Sequence, residues 1–281
     1  MTTINYVILA AGKGTRMRSA KPKVLHRLAG RSMLQHVVTA VDALGESKKI
    51  IVTGHGAPLV EEQFDDVNTL FVQQKEQLGT AHAVQMALPA LCDDAVVVVL
   101  YGDVPLIRPA TIKRLLQVVG DKSIGLLTIT LDDPQGYGRI VRNSTGAITS
   151  IVEQKDASSE QLTINEVNTG VLALSAKQLR QWLPKIDNNN AQGEYYLTDL
   201  IALAVQADVA VLSVNPETAA EVEGVNSRLQ LSQLERTFQR QRALRLMESG
   251  TTLADPARFD VRGELVAGTD NFIDINCIFE G

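Results

Sequence analysis

The sequence predicts an α/β protein built on a mixed, mostly parallel sheet, followed by a long helix and the first turn of a solenoid. Three observations carry this. Apolar strand-like runs alternate with segments of helical periodicity, the pattern of βαβ units. The early runs are almost continuously apolar, as expected of strands covered by helices on both faces. After Gly250 both patterns stop, and apolar residues recur near every sixth position, as at Ile273 and Phe279.

In chain order, residues 6–9, 49–52 and 95–100 ("AVVVVL") read as buried strands. Between the first two, Met33, Leu34, Val37, Val38, Val41 and Leu44 are spaced for one helix face, with Ser32 as its N-cap. Thr80 is in position to cap the next helix, which carries Val84, Ala87, Leu88 and Leu91. From Ile124 to about Leu174 the strands are expected to be shorter and alternating, punctuated by Gly136 and Gly138, an insertion that forms part of a pocket wall. Residues 193–205 and 227–247 read as helices, the second long and rich in arginine. The division expected is 1–226 for the main domain, 227–250 for a linker helix and 251–281 for the start of the solenoid. One solenoid turn cannot bury its own face, so either the natural chain is longer or this tail packs back on the domain.

Composition narrows the partners. With 281 residues, 45% hydrophobic content and a formal net charge of -5, the chain can bury a large core and offers no general basic face for nucleic acid or a membrane surface. The opening residues carry no basic n-region and no long apolar run, so a cytoplasmic location is expected. Cys92 and Cys277 lack metal-ligand or redox spacing and are expected to be small buried hydrophobes; His26, His36, His55 and His82 have no paired spacing and are assigned no catalytic role.

The chemistry concentrates after the first strand. Ala10, Ala11, Gly12 and Gly14 let backbone N–H groups approach an anion closely, and Lys13, Arg16, Arg18, Lys21 and Lys23 surround them. This is not a P-loop, because Val7 occupies the position of the required glycine and Gly14 follows Lys13. Nor is it a dinucleotide fingerprint, because Met17 stands where the third glycine belongs. A nest at the carboxyl end of a strand favours phosphate over a merely solvated basic loop. Asp103, at the end of "VVVVLYGD", is by pattern alone either a metal ligand or a turn residue.

"LAAGKGTRM…PKVL", "EQLGTAHAV", "LYGDVPLI", "GYGRI", "IVEQKDA", "EVNTGV", "NNNAQGEYYLTDLI" and "EVEGVNSRLQL" together resemble the N-terminal uridyltransferase region of the bacterial bifunctional enzymes that make UDP-N-acetylglucosamine. The first motif alone would indicate only a sugar-phosphate nucleotidyltransferase; the last two narrow it to this member. The resemblance implies a Rossmann-like nucleotidyltransferase fold and a left-handed β-helix after Gly250. It implies that UTP and N-acetylglucosamine 1-phosphate give UDP-N-acetylglucosamine and pyrophosphate, for peptidoglycan and lipopolysaccharide precursors. In that reading Arg16 holds the departing pyrophosphate, Lys23 lies between the reacting phosphates, and Asp103 and Asn226 bind Mg2+. Leu9 to Gly12, Tyr101 and Gly102 line the nucleotide site, Gln74, Gly79 and Thr80 contact uracil, and Gly138, Glu153 and Asn168 contact the sugar. Tyr195 and Tyr196 either shape the N-acetyl pocket or belong to the core. The full-length family member also acetylates glucosamine 1-phosphate and forms a homotrimer through its β-helix; with about one coil after Gly250, neither activity nor a stable trimer is expected of these 281 residues. The readings weighed against this are a thymidylyltransferase, a catalytically silent nucleotide-sugar sensor and an assembly module built on the arginine-rich helix.

Overall fold

The computed structural model describes residues 3–64 and 67–281. In chain order the elements are β1 (Ile4–Ala10), a two-strand ribbon β2 (Arg27–Leu28) and β3 (Arg31–Ser32), α1 (Met33–Asp42), β4 (Lys48–Thr53), α2 (Ala57–Glu61), β5 (Thr69–Gln73), α3 (Thr80–Ala87) and β6 (Val96–Tyr101). There follow α4 (Pro109–Gln117), β7 (Ser123–Thr130), β8 (Arg139–Arg142), β9 (Ile148–Val152), β10 (Glu166–Ser175), α5 (Ala176–Trp182), α6 (Asp199–Gln206) and β11 (Ala210–Val214). The chain ends with α7 (Arg228–Glu248), β12 (Thr251–Leu253), β13 (Phe259–Arg262), β14 (Asn271–Ile273) and β15 (Cys277–Glu280).

The main sheet has the order β11-β7-β10-β6-β1-β4-β5. Its neighbours are parallel except where β10 lies antiparallel to both β6 and β7. The alternation of a strand sorts the core into two layers. Val7, Leu9, Ile50, Val52, Val97 and Val99 face α3, α5 and α6, while Tyr6, Ile8, Ile51, Val98 and Leu100 face α1 and α4. Both faces are therefore dry, which is why the sequence shows unbroken apolar runs there. Ser32 caps α1, its hydroxyl accepting from the Gln35 N–H at 3.2 Å; such a cap contributes about 1 kcal/mol.

Four local expectations are corrected. β7 and β10 are long strands of 8 and 10 residues integral to the main sheet, and only the β8–β9 hairpin is short. The sixth helix begins at Asp199 rather than at Gly193: Gly193 has φ 65°, and the Asn190 carboxamide oxygen accepts from the Gln192 and Glu194 N–H groups, holding a turn there. Thr80 is the first helical residue of α3 and does not cap it; its hydroxyl accepts instead from the Leu197 N–H at 3.1 Å. Cys92 is exposed and Cys277 half-buried, because Cys92 lies on the turn leading into β6 and Cys277 on a short outer strand.

After α7, two parallel ladders pair β12 with β14 and β13 with β15, at separations of twenty and eighteen residues. This is the pairing that successive levels of a solenoid make. The tail also packs back on the long helix: Leu253, Phe259 and Val261 bury against Ala243, with Leu246 and Met247 beside them. Gln239, 1% exposed, donates to the Val261 carbonyl and accepts from the Val261 N–H, each at 2.9 Å. At its other end α7 reaches the basic loop, where Arg228 donates from Nε to the Met17 carbonyl at 3.1 Å. Among the described residues no helix is long and apolar enough to cross a membrane.

Candidate active site

The strand order reverses at β1, which has β4 on one side and β6 on the other, and open α/β sheets bind ligands outside the carboxyl ends of the strands at such a point. A cavity of about 350 Å³ lies there. Its wall includes Leu9, Ala10, Ala11 and Gly12 after β1, Tyr101 and Asp103 after β6, Lys23 from the basic loop, Gln74, Gly79 and Thr80 around the start of α3, and Asn226.

Local conformation makes this possible. Gly14 is left-handed at φ 59°, and a Cβ there would lie 2.6 Å from the Lys23 Cβ, so the basic loop folds tightly across its own lysine. Pro22 and a 3-10 turn over Lys23–Leu25 then aim Lys23 inward. Gly102 is closed in by Leu34, Val24 and the Leu9 carbonyl, and its N–H donates to that carbonyl at 2.9 Å, joining the ends of β1 and β6.

The Lys23 ammonium donates to Asp103 Oδ2 and, at 3.2 Å, to Asn226 Oδ1. Side-chain exposure of the pair is 15% and 13%, so the ion pair is only weakly screened. Two hard oxygens thus converge on one cation position at the cavity. The Asn226 N–H donates to Gln230 Oε1 at 2.8 Å, so the first turn of α7 holds that residue in place.

Gln74 is 3% exposed and held on every side. Its N–H donates to the Thr53 carbonyl at 2.7 Å, and its Nε2 donates to the Gly79 carbonyl at 3.1 Å and lies 3.1 Å from His82 Nδ1. A free carboxamide could show a base a donor and an acceptor together. Both N–H groups are instead turned into the protein, which leaves Oε1 for a ligand. Gly79 has φ 117°, and a Cβ there would sit 2.5 Å from the Tyr195 carbonyl oxygen, so this wall needs glycine.

Gly138, Glu153 and Asn168 form a neighbouring cluster outside this cavity. The Asn168 N–H donates to the Gly138 carbonyl at 2.9 Å, Glu153 Oε1 is 3.4 Å from where a Gly138 Cβ would be, and Thr198 donates to the same oxygen at 3.1 Å. Burial pushes the Glu153 carboxyl above the usual glutamate range; the Thr198 hydrogen bond opposes this, and Asp156 and Asp199 add to it. Tyr101 joins the two regions: burial first, then the charges of Glu153 and Asp103, push its phenol far above the ordinary value. Tyr196 is 8% exposed with its hydroxyl accepting from Gln192 Nε2 at 2.8 Å, and Tyr195 contributes backbone to the Gly79 wall. Arg16 is exposed on the 3-10 turn Thr15–Met17 and does not line the cavity.

A family model described as the MobA-like NTP transferase domain matches residues 6–159, more than half of the chain and every strand end that builds the cavity. The chain belongs to this family. Among curated proteins, a "Bifunctional protein GlmU" of Marinobacter nauticus is 56% identical over 281 residues, covering 100% of this chain and 62% of that protein. Proteins of the same name from Pseudomonas putida F1 and Cellvibrio japonicus are 57% and 54% identical, covering 99% of this chain and 61% of their own lengths. The chain thus spans just over three fifths of these relatives. Among solved structures, a nucleotidyl transferase from Methanothermobacter aligns with a TM-score of 0.61 at 22% identity, covering 86% of this chain and 100% of that one. A UDP-glucose pyrophosphorylase complexed with UDP-glucose aligns at 0.70 and 17%, with the same coverage. These two establish the fold, the mixed and mostly parallel sheet of the NTP transferases.

Sequence reasoning passed over several residues of the NTP transferase site. Gln77, Ala83 and Glu194 line the cavity, His82 touches Gln74, and Arg228 ties down the basic loop at Met17. None carries a local spacing signal: His82 meets Gln74 eight residues away, and Arg228 meets Met17 across 211.

Proposed function

We propose that the chain is a uridyltransferase that forms UDP-N-acetylglucosamine and pyrophosphate from UTP and N-acetylglucosamine 1-phosphate. The observation that carries the reading is one cavity at the switch point that combines a half-buried lysine–carboxylate–carboxamide cluster with an enclosed amide for a base. The 54–57% identity to proteins named GlmU, along the whole chain, supports the specific substrates.

The phosphate oxygen of the sugar would attack the α-phosphorus of UTP in line, and the bond from that phosphorus to the pyrophosphate oxygen would break. Such a transfer needs positioning and charge neutralisation more than a side-chain nucleophile. The nest from Leu9 to Gly12 supplies backbone donors, Lys23 faces the reacting phosphates, and Arg16, exposed on its turn, is free to swing onto the departing pyrophosphate. Gln74, Gly79 and Thr80 hold the base, and Gly138, Glu153 and Asn168 the sugar. Asp103 and Asn226 fit Mg2+: one carboxylate and one amide oxygen converge, few enough to leave positions for water and phosphate, which a small hard ion prefers. Bound there, the ion would neutralise charge that develops on the phosphates.

By the same reading, residues 1–226 are the catalytic domain, 227–250 a linker helix, and 251–281 the start of a left-handed β-helix; a homotrimer and an acetyltransferase activity belong to the whole-protein reading. Incubation with each nucleoside triphosphate against a panel of sugar 1-phosphates, with pyrophosphate as readout, tests the assignment. Turnover is expected with UTP and N-acetylglucosamine 1-phosphate, and a clear preference for another pair refutes it.

A further inference from the structure

We propose that His82 is a positioning residue for base selection: its Nδ1 holds the Gln74 amide in the one orientation that offers the base an acceptor and no donor. The inference deepens the uridyltransferase reading and rests on it.

The orientation follows from the contacts. The Gly79 carbonyl can only accept, so the amide atom 3.1 Å from it must be the NH2 nitrogen. That same nitrogen lies 3.1 Å from His82 Nδ1, and two N–H groups cannot face each other there. Nδ1 must therefore be the unprotonated, accepting nitrogen, and the ring proton resides on Nε2. With both Gln74 hydrogens engaged, Oε1 alone is left for a ligand. Gln74 lines the cavity, and Oε1 is not among the buried atoms that lack a partner.

An acceptor held against N3 of the base favours uracil over cytosine. Uracil carries a hydrogen on N3 and donates to Oε1, whereas cytosine has a lone pair at N3 and would meet that oxygen with repulsion. A freely rotating amide could turn its NH2 outward and accept cytosine. Two inward partners prevent this, and the Gly79 carbonyl is backbone, so His82 is the side chain on which the selection depends. His82 is the third residue of α3, and Ala81 ahead of it is tied to the Tyr195 carbonyl at 3.0 Å, so the imidazole is carried on a fixed frame.

Two variants and one spectroscopic measurement test this. His82→Leu removes the acceptor, and His82→Asn keeps one, its side-chain oxygen falling near the place of Nδ1. In steady-state assays with N-acetylglucosamine 1-phosphate, His82→Leu is expected to lower the kcat/KM ratio of UTP over CTP by about tenfold, roughly the worth of one hydrogen bond. The loss should appear mainly in the KM for UTP, and His82→Asn should recover most of the ratio. An unchanged ratio in His82→Leu, or equal losses in both variants, overturns the proposal. Independently of turnover, 15N spectra of the ligand-free protein at neutral pH should show His82 with its proton on Nε2; a proton on Nδ1 overturns the contact itself. A wild-type protein indifferent between UTP and CTP would refute the uridine reading and this inference together, whereas failure in the variants alone refutes only the inference.

Discussion

Replacing Lys23 by methionine should move two measurements in opposite directions. The Lys23 ammonium sits on the two oxygens proposed for the metal, Asp103 Oδ2 and Asn226 Oδ1. A divalent ion must displace it or share those oxygens with it. The competing interaction is one charge-assisted hydrogen bond and one weaker bond to a neutral amide, in a pair exposed only 15% and 13%; such a contact is worth about 1.5–3 kcal/mol. At about 1.4 kcal/mol per tenfold, Lys23→Met should bind a divalent ion on the order of 10- to 100-fold more tightly without nucleotide. It should also lower kcat on the order of 10²–10³-fold, the cost of removing one preorganised donor from developing charge. Titration with Mn2+ followed by electron paramagnetic resonance reads the first effect, and pyrophosphate release the second. Unchanged or weaker Mn2+ binding would refute the idea that the ammonium and the ion share a seat, and near-normal turnover would remove Lys23 from the chemistry.

Gly79→Ala should raise the KM for UTP and lower Tm, because its Cβ would lie 2.5 Å from a backbone oxygen at φ 117°, a strain of about 1–3 kcal/mol; a variant with wild-type KM would place uracil elsewhere. Gln239→Leu leaves both the N–H and the carbonyl of buried Val261 unpaired and should cost about 2–4 kcal/mol in urea unfolding monitored at the tail, and hydrogen exchange at Val261 no faster than in wild type would count against it. Glu153→Gln has a defined pH signature. The folded state raises this carboxyl above its ordinary 4.5, so its ionisation disfavours folding above that pH; the variant should be the more stable protein near neutrality, match wild type well below pH 4.5, and bind sugar 1-phosphate more weakly throughout the range where Glu153 is charged. Glu166 has the opposite sign: the Arg142 hydrogen bonds hold its pKa below 4.5, so the stability lost in Arg142→Ala should be full at neutral pH and vanish as acid protonates Glu166, as thermal melts at pH 7 and pH 2 would record.

What could be read from the sequence divides along a physical line. The central strands were legible because both faces are buried, so Val7 to Leu9 and Val97 to Leu100 leave no polar period to confuse with a helix. The tight turn after the first strand was legible because close backbone approach demands small residues, as at Gly14 against Lys23. Late helix starts were not: residues 193–198 carry no helix breaker beyond one glycine, and the turn there is held by the Asn190 side chain reaching along the chain. Nor was the orientation of Gln74, since residue type tells which groups a side chain owns and only its neighbours decide which of them are spent.

The long helix is where that limit is clearest. Its pattern predicts a helix and nothing about its duty, because its apolar residues are few and it faces several surfaces. Its first turn anchors the candidate site, through Arg228 on the Met17 carbonyl and Gln230 on the Asn226 N–H, and its middle holds the C-terminal tail, through Gln239 on Val261. Midway, Glu235 accepts from the Ala29 N–H at 2.7 Å, at a residue held left-handed at φ 47°. These bonds fall within about 17 Å along one rigid body, at 1.5 Å per residue. A displacement of the tail therefore cannot be absorbed by bending between Arg228 and Gln239 without breaking hydrogen bonds at buried or half-buried groups. The Asn226 oxygen proposed for a cation is thus held against the same helix that packs the strands of the tail.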